Sequence, residues 1–153
     1  MKLSRKSDYA LRALFGLIAS DGRTVSIREL AEKYDVPKRF LEQIMLELKS
    51  KGWVRSIAGR DGGFVLAKRP DQITMGEVVR HFDGVLAPIG CVSTTHYEPC
   101  SQEPVCRFRR VLLDVRNDTA RRMDAATLAA VYAGPVVTRE EVFSTQFVGG
   151  EGI

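Results

Sequence analysis

No run of apolar residues in this chain approaches the ~18 needed for a membrane span. The longest uncharged stretches are broken by Gly and Pro, as in Thr127–Thr138. A membrane span is therefore excluded. Lys2, Arg5 and Lys6 open the chain, but the apolar residues after them recur at helical intervals around Arg12, and no small-residue cleavage site follows. This is not a secretory leader, so a cytoplasmic protein is expected. Internal repeats and low-complexity tracts are also absent. Cysteine is scarce: three residues, none before position 91. An odd number without a secretion signal argues against a disulfide framework and for metal or thiol chemistry.

What is present is a chain of 153 residues, 44% hydrophobic and 27% charged, the composition of one ordinary folded domain with at most a small appendage. The formal charge of +4 is unevenly spread. Residues 1–70 hold 15 Lys/Arg against 8 Asp/Glu, residues 71–106 hold 1 against 5, and residues 107–153 hold 7 against 6. The basic half suits a polyanion, because each phosphate contact releases condensed counterions. A solvated charged face is the plainer reading of the same asymmetry.

Local patterns give the elements. Leu11, Leu14, Phe15 and Ile18 recur at three- and four-residue steps, which predicts an amphipathic helix over 3–20 stopped by Asp21-Gly22. Ser26 and Glu29 read as a capping box opening a short helix to about Tyr34. Pro37 suits the first position of the next helix, Gly52 its left-handed end, and Leu41, Ile44, Met45 and Leu48 its inner face. Two β-prone runs, Trp53–Ile57 and Phe64–Ala67, flank the glycine-rich Gly59–Gly63 and predict a hairpin. Thr74 and Glu77 form a second capping box, starting a helix that ends near Asp83-Gly84.

Residues 84–103 read as irregular. From Pro104 a long helix of 20 or more residues is expected, with Val105, Phe108, Leu112 and Val115 as the seam for another helix. That seam fits either this chain's own core or a partner, and the length favours a partner. The expected organisation is a winged helix-turn-helix over 1–83, a cysteine loop over 84–103, a dimerisation helix region over 104–133 and a C-terminal tail over 134–153, its last fifteen or so residues flexible. The fold class is mainly α with a small β-hairpin wing.

In a winged helix-turn-helix the second helix of the motif enters the major groove with its N-terminal residues facing base edges. Here those outward residues are Lys38, Arg39, Glu42 and Gln43. Arg39 can pair bidentately with guanine, Gln43 with adenine, and Glu42 can accept from cytosine. Arg60, on the hairpin tip, is placed to reach the minor groove or its phosphates, and Arg55, Lys49 and Lys51 suit phosphates or solvent.

Cys91, Cys100 and Cys106 lie within 16 residues. Their spacings lack the paired Cys of single-chain zinc sites and suit a wider object such as an iron-sulfur cluster. Cys106 is expected in the opening turn of the long helix, where the macrodipole favours thiolate. Three thiolates leave one coordination position open, for which His96 and Asp8 are the candidates. An exposed loop histidine and a first-turn acid are the ordinary readings of those two residues.

Together, Asp8–Leu14, Phe40–Ile44, Gly62-Gly63-Phe64, Ile73–Val79 and the three cysteines give a pattern that resembles the Rrf-type family of winged-helix bacterial repressors, which includes IscR, NsrR and CymR. The likeness spans about residues 1–132. It implies a homodimer crossed by long helices, two DNA-binding heads on a palindromic double-stranded operator, and a 2Fe-2S or 4Fe-4S cluster held by Cys91, Cys100 and Cys106. It also implies control by redox state, nitric oxide or iron. Asp8 stands where one branch of the family takes a ligand from the partner's first helix. Another branch uses a histidine three residues after the third cysteine; Arg109 occupies that position and cannot ligate. The Cys91–Cys100 interval is longer than in those branches, and Ala58 replaces a frequent wing arginine, leaving that task to Arg60. The rival functions are a metal-free thiol switch or partner-regulated repressor of the same fold and, from another class, an iron-sulfur electron carrier or small redox enzyme. The basic head and the lack of a substrate-binding motif weigh against the carrier, and no enzymatic activity is expected.

Overall fold

The computed structural model describes residues 2–84 and 86–144. Helix α1 (Arg5–Ala19) starts at Ser4, whose hydroxyl accepts from the Ser7 N–H, and stops where Asp21 and Gly22 turn to positive φ. Helix α2 (Ile27–Lys33) is capped by Ser26, which accepts from the Glu29 N–H at 3.1 Å. Only this half of the expected box forms, because the Glu29 carboxylate is held by Arg23 instead. Gly16 lets α2 approach α1: a Cβ there would lie 2.6 Å from the Tyr34 ring and 2.7 Å from Leu30.

Helix α3 (Lys38–Ser50) follows a turn at Asp35. Pro37 is its N-cap, one position earlier than expected, with an extended ψ of 126°. Gly52, at φ 72°, turns the chain out of it. Strands β1 (Val54–Ile57) and β2 (Gly63–Leu66) pair antiparallel, Val54 opposite Leu66 and Ile57 opposite Gly63. Val25 exchanges both backbone hydrogen bonds with Phe64, which fastens the hairpin to the loop before α2. Gly63 is required there, since a Cβ would meet the Val25 carbonyl oxygen at 2.3 Å.

Helix α4 (Met75–Asp83) carries the full capping box: Thr74 Oγ1 accepts from the Glu77 N–H, and the Glu77 carboxylate accepts from the Thr74 N–H. The core gathers the buried faces of α1, α3 and α4: Leu14, Leu17, Leu41, Ile44, Leu48 and Val78 are sealed from solvent. The wing follows from sequence directly, and the fold class stands as expected.

The long helix differs from its expectation. Helix α5 (Arg109–Ala125) begins five residues after Pro104 and has 17 residues, not 20 or more. Residues 100–106 are held in consecutive turns, Cys100 O accepting from Glu103 N and Gln102 O from Val105 N, because Glu103 is drawn into a polar network with the cysteine loop. Cys106 therefore lies outside the helix, three residues before it, and the macrodipole argument does not apply. Its far end does not project freely either. After Ala126 the chain folds back, Leu128 N donates to Ile73 O at 2.8 Å, and Leu128 is buried in the core under α6 (Leu128–Ala133). The seam also shifts by one residue: Leu112 is half-buried, while Val105, Phe108, Val111 and Val115 are exposed. A short α7 (Arg139–Val142) follows, and Gly149-Gly150 and Gly152 of the expected tail lie outside the described residues. Among the described residues no helix is long and apolar enough to cross a membrane.

Candidate reading head and cysteine site

The inner face of α3 is closed by Leu41, Ile44, Met45 and Leu48, so geometry sends Lys38, Arg39, Glu42 and Gln43 outward, and all four are exposed. Their backbone is anchored from below. Tyr9 meets Phe40 edge-to-face with centroids 6.3 Å apart, and Lys6 reaches Glu47 at 2.7 Å. On the wing, Arg55 and Arg60 are exposed, and Lys49 Nζ donates to Ser56 Oγ at 2.9 Å, tying the end of α3 to β1. Lys49 thus has a structural task in addition to its charge. Arg39 and Gln43 on α3 and Arg60 at the wing tip are all solvent-exposed.

Asp8 sits in the first turn of α1 and is paired with Arg12, Oδ2 to Nη2 at 2.8 Å. Arg12 also donates to the Tyr34 carbonyl at 3.3 Å and lies 5.7 Å from the Tyr9 ring centroid. The hydrogen bond to Asp8 raises the Arg12 guanidinium further above its ordinary value. This first-turn acid therefore has an intrachain partner.

All three cysteines are free thiols: Cys91 buried, Cys106 half-buried, Cys100 exposed. They line one cavity of about 380 Å³, whose walls also include Ile89, Val105 and Phe108. Neither Asp8 nor His96 lines it. His96 donates its backbone N–H to Ser93 Oγ at 3.0 Å, and its ring Nδ1 stands 3.3 Å from Thr95 Oγ1. Among the described residues no three Cys, His, Asp or Glu converge closely enough to hold a single metal ion. A donor set of three soft thiols spread around one largely apolar cavity fits an extended iron-sulfur centre better than one zinc ion.

The residues that organise this cavity were missed by sequence reasoning. Arg109 donates from Nη2 and Nε to the Cys91 carbonyl and pairs with Glu103 at 3.2 Å. Glu103 in turn accepts from Tyr97 Oη at 2.6 Å and from the Cys100 N–H at 3.2 Å. Hydrogen bonding to Tyr97 holds the Glu103 carboxyl below the usual carboxylate range and pushes the Tyr97 phenol up. One network thus joins the backbones of two cysteines to the first turn of α5. Glu103 and Arg109 flank Cys106 symmetrically in sequence, which is a signal in hindsight; Tyr97 gives none.

The Rrf2 family, described as iron-dependent transcriptional regulators, matches residues 3–134. The chain belongs to the Rrf2 family. It is 37% identical over 130 residues to the HTH-type transcriptional regulator NsrR of Geobacillus kaustophilus, covering 84% of this chain and 88% of that one. It is 32% identical over 120 residues to the HTH-type transcriptional regulator CymR of Bacillus subtilis, covering 78% and 86%. Among solved structures, CymR of B. subtilis, the global cysteine regulator, superposes with a TM-score of 0.73 at 27% identity over 87% of this chain and 97% of that one. IscR of T. potens gives 0.67 at 26% identity over 86% and 85%. These Rrf2 relatives are transcriptional regulators, not enzymes, and this chain is an Rrf2-family helix-turn-helix transcriptional regulator with their winged-helix fold.

Proposed function

We propose that this Rrf2 regulator is a homodimeric repressor in which Cys91, Cys100 and Cys106 hold an iron-sulfur cluster, 2Fe-2S or 4Fe-4S, whose state sets affinity for a palindromic operator. The observation that carries the reading is the gathering of three free thiols, drawn from a span of 16 residues, on the wall of one cavity. When bound, the cluster would supply a centre sensitive to redox state, nitric oxide or iron supply. Asp8 from a second copy of the chain is the proposed fourth ligand, and it would have to exchange its Arg12 partner for that role.

The chain's own residues perform the reading and the relay. Arg39, Gln43 and Glu42 face base edges, Lys38 and Arg55 face phosphates, and Arg60 reaches from the wing tip. The exposed Val105, Phe108, Val111 and Val115 supply the face on which two copies pair, placing two reading helices about one helical turn, ~34 Å, apart. From the cysteine loop, Arg109 leads into α5, Asp124 of α5 pairs with Arg80 of α4 at 2.5 Å, and Asp83 at the end of α4 accepts from the Ser4 N–H at the start of α1. A displaced cysteine loop therefore pulls on the base of the head that carries α3.

A metal-free thiol switch, or a repressor set by a partner protein, is the second reading, supported by the exposed Cys100 beside the buried Cys91. Anaerobic purification separates the two. A brown protein with iron and sulfide near one cluster per chain, binding its operator differently once stripped at the same salt, is the expected result. Colourless protein, or equal binding by loaded and stripped forms, overturns the cluster reading.

A further inference from the structure

Behind the cysteine cavity lies a second one of about 440 Å³, within the roughly 300–1,000 Å³ common for small-molecule sites. The two share Cys91, Cys106, Glu103 and Arg109 as a common wall. The remaining lining sets Ser93, Thr94, Tyr97, Arg110 and Arg116 among the apolar Val92 and Leu113. Most of these groups are already satisfied. Arg109 is matched by Glu103, Tyr97 donates to the same carboxylate, and Arg110 pairs with Asp114 at 2.9 Å.

Arg116 is different. Its Nε is buried without a hydrogen-bond partner, and among the described residues no carboxylate stands at ion-pair distance from its guanidinium. Ser93, only 6% exposed, accepts from the His96 N–H and so keeps its hydroxyl proton free to donate. An unmet donor on a charged group is costly to bury, and a guanidinium edge matches a planar carboxylate with two parallel hydrogen bonds. One unmatched positive charge and one free hydroxyl suit a monovalent head better than a phosphate, which ordinarily recruits several positive groups.

We propose that this cavity binds a small carboxylate, its head held edge-on by Arg116 and capped by Ser93, against the rear of the cysteine wall. The site does not depend on what the head binds or on whether the thiols carry iron. Such a ligand touches the wall that carries Cys91 and Cys106, so its occupancy alters thiol accessibility.

The test titrates the reduced full chain with sodium succinate against sodium chloride of equal ionic strength by calorimetry. Saturable binding is expected in the wild type and in Arg122→Gln, an exposed change on the same helix. Arg116→Gln should weaken it about ten- to a hundredfold, with Ser93→Ala weakening it in the same direction. Should Arg116→Gln fail to fold by circular dichroism, the Ser93→Ala comparison decides. Succinate should also change the rate at which iodoacetamide labels Cys106. Absence of saturable binding, equal affinity in the variants, or tighter binding of inorganic phosphate than of succinate would overturn the assignment.

Discussion

Arg109 lays its guanidinium on the carbonyl oxygen of Cys91, with Nη2 at 2.7 Å and Nε at 3.2 Å, across 18 residues of chain. Three residues after Cys106 the chain thus places a group that cannot ligate a metal but holds the cysteine loop. The contact is a charged, two-pronged hydrogen bond to a partly buried acceptor, a type worth about 1.5–3 kcal/mol.

Removing it should loosen the loop without unfolding the head. In Arg109→Ala the buried Cys91 is expected to react with iodoacetamide about ten- to a hundredfold faster than in the wild type, the factor that follows from that energy. Site-resolved mass spectrometry reads the rate. An unchanged rate would show that packing alone keeps Cys91 closed.

How much of this was legible beforehand depends on the range of the interaction. The caps at Ser26 and Thr74, the turn at Gly52 and the wing around Gly59–Gly63 are local, and sequence spacing revealed them. The start of α5 is not local. Val105, Phe108 and Leu112 keep a helical period, but Glu103 bonds Tyr97 and Cys100, and that tertiary demand overrides the helix until Arg109. Asp8 is readable as a first-turn acid of α1, whereas its pairing with Arg12 depends on the rotamers the fold selects. The clustering of the thiols was foreseen, yet the network that clusters them was not, because its members come from three separate turns.

His81 gives a pH signature of the folded head. Burial pushes its imidazole below the ordinary value, Lys51 and Lys6 push the same way, and Glu47, 3.7 Å from Nε2, opposes them. Trp53 packs edge-to-face on the ring at 5.7 Å. Since the folded state binds the proton less readily than the unfolded chain, stability is full above the unfolded value of roughly 6.5. It falls as pH drops below that, levelling off only beneath the folded value. Thermal melts from about pH 7.5 down to 5 should show this decline, and His81→Phe should flatten it. A decline of the same size in the variant would assign it to other groups.

Val111 and Val115 stand one turn apart on the outer face of α5, and both are exposed, as are Val105 and Phe108 just before the helix. If a second copy covers this face, a charge placed there must be desolvated without a partner, which costs several kcal/mol in a pair. Val111→Arg is expected to weaken dimerisation by roughly a hundredfold or more while leaving the circular dichroism spectrum of the chain intact. Light scattering after gel filtration measures the mass. A variant that stays dimeric at low concentration would move the interface elsewhere.

The reading helix separates two kinds of cation. Arg39 lies exposed in the first turn of α3, without an ion-pair partner among the described residues, and is the proposed guanine contact; Arg55 lies exposed on β1 and is the proposed phosphate contact. Base contacts carry sequence information and phosphate contacts do not. Arg39→Ala should therefore lose about 1–3 kcal/mol on a selected operator and much less on a scrambled duplex. Arg55→Ala should weaken both duplexes alike and reduce the salt slope by about one. Lys49 makes a poor control because its bond to Ser56 also braces the wing. Fluorescence anisotropy over a salt series gives both quantities, and equal losses for Arg39→Ala on the two duplexes would remove Arg39 from base reading and leave it a phosphate contact.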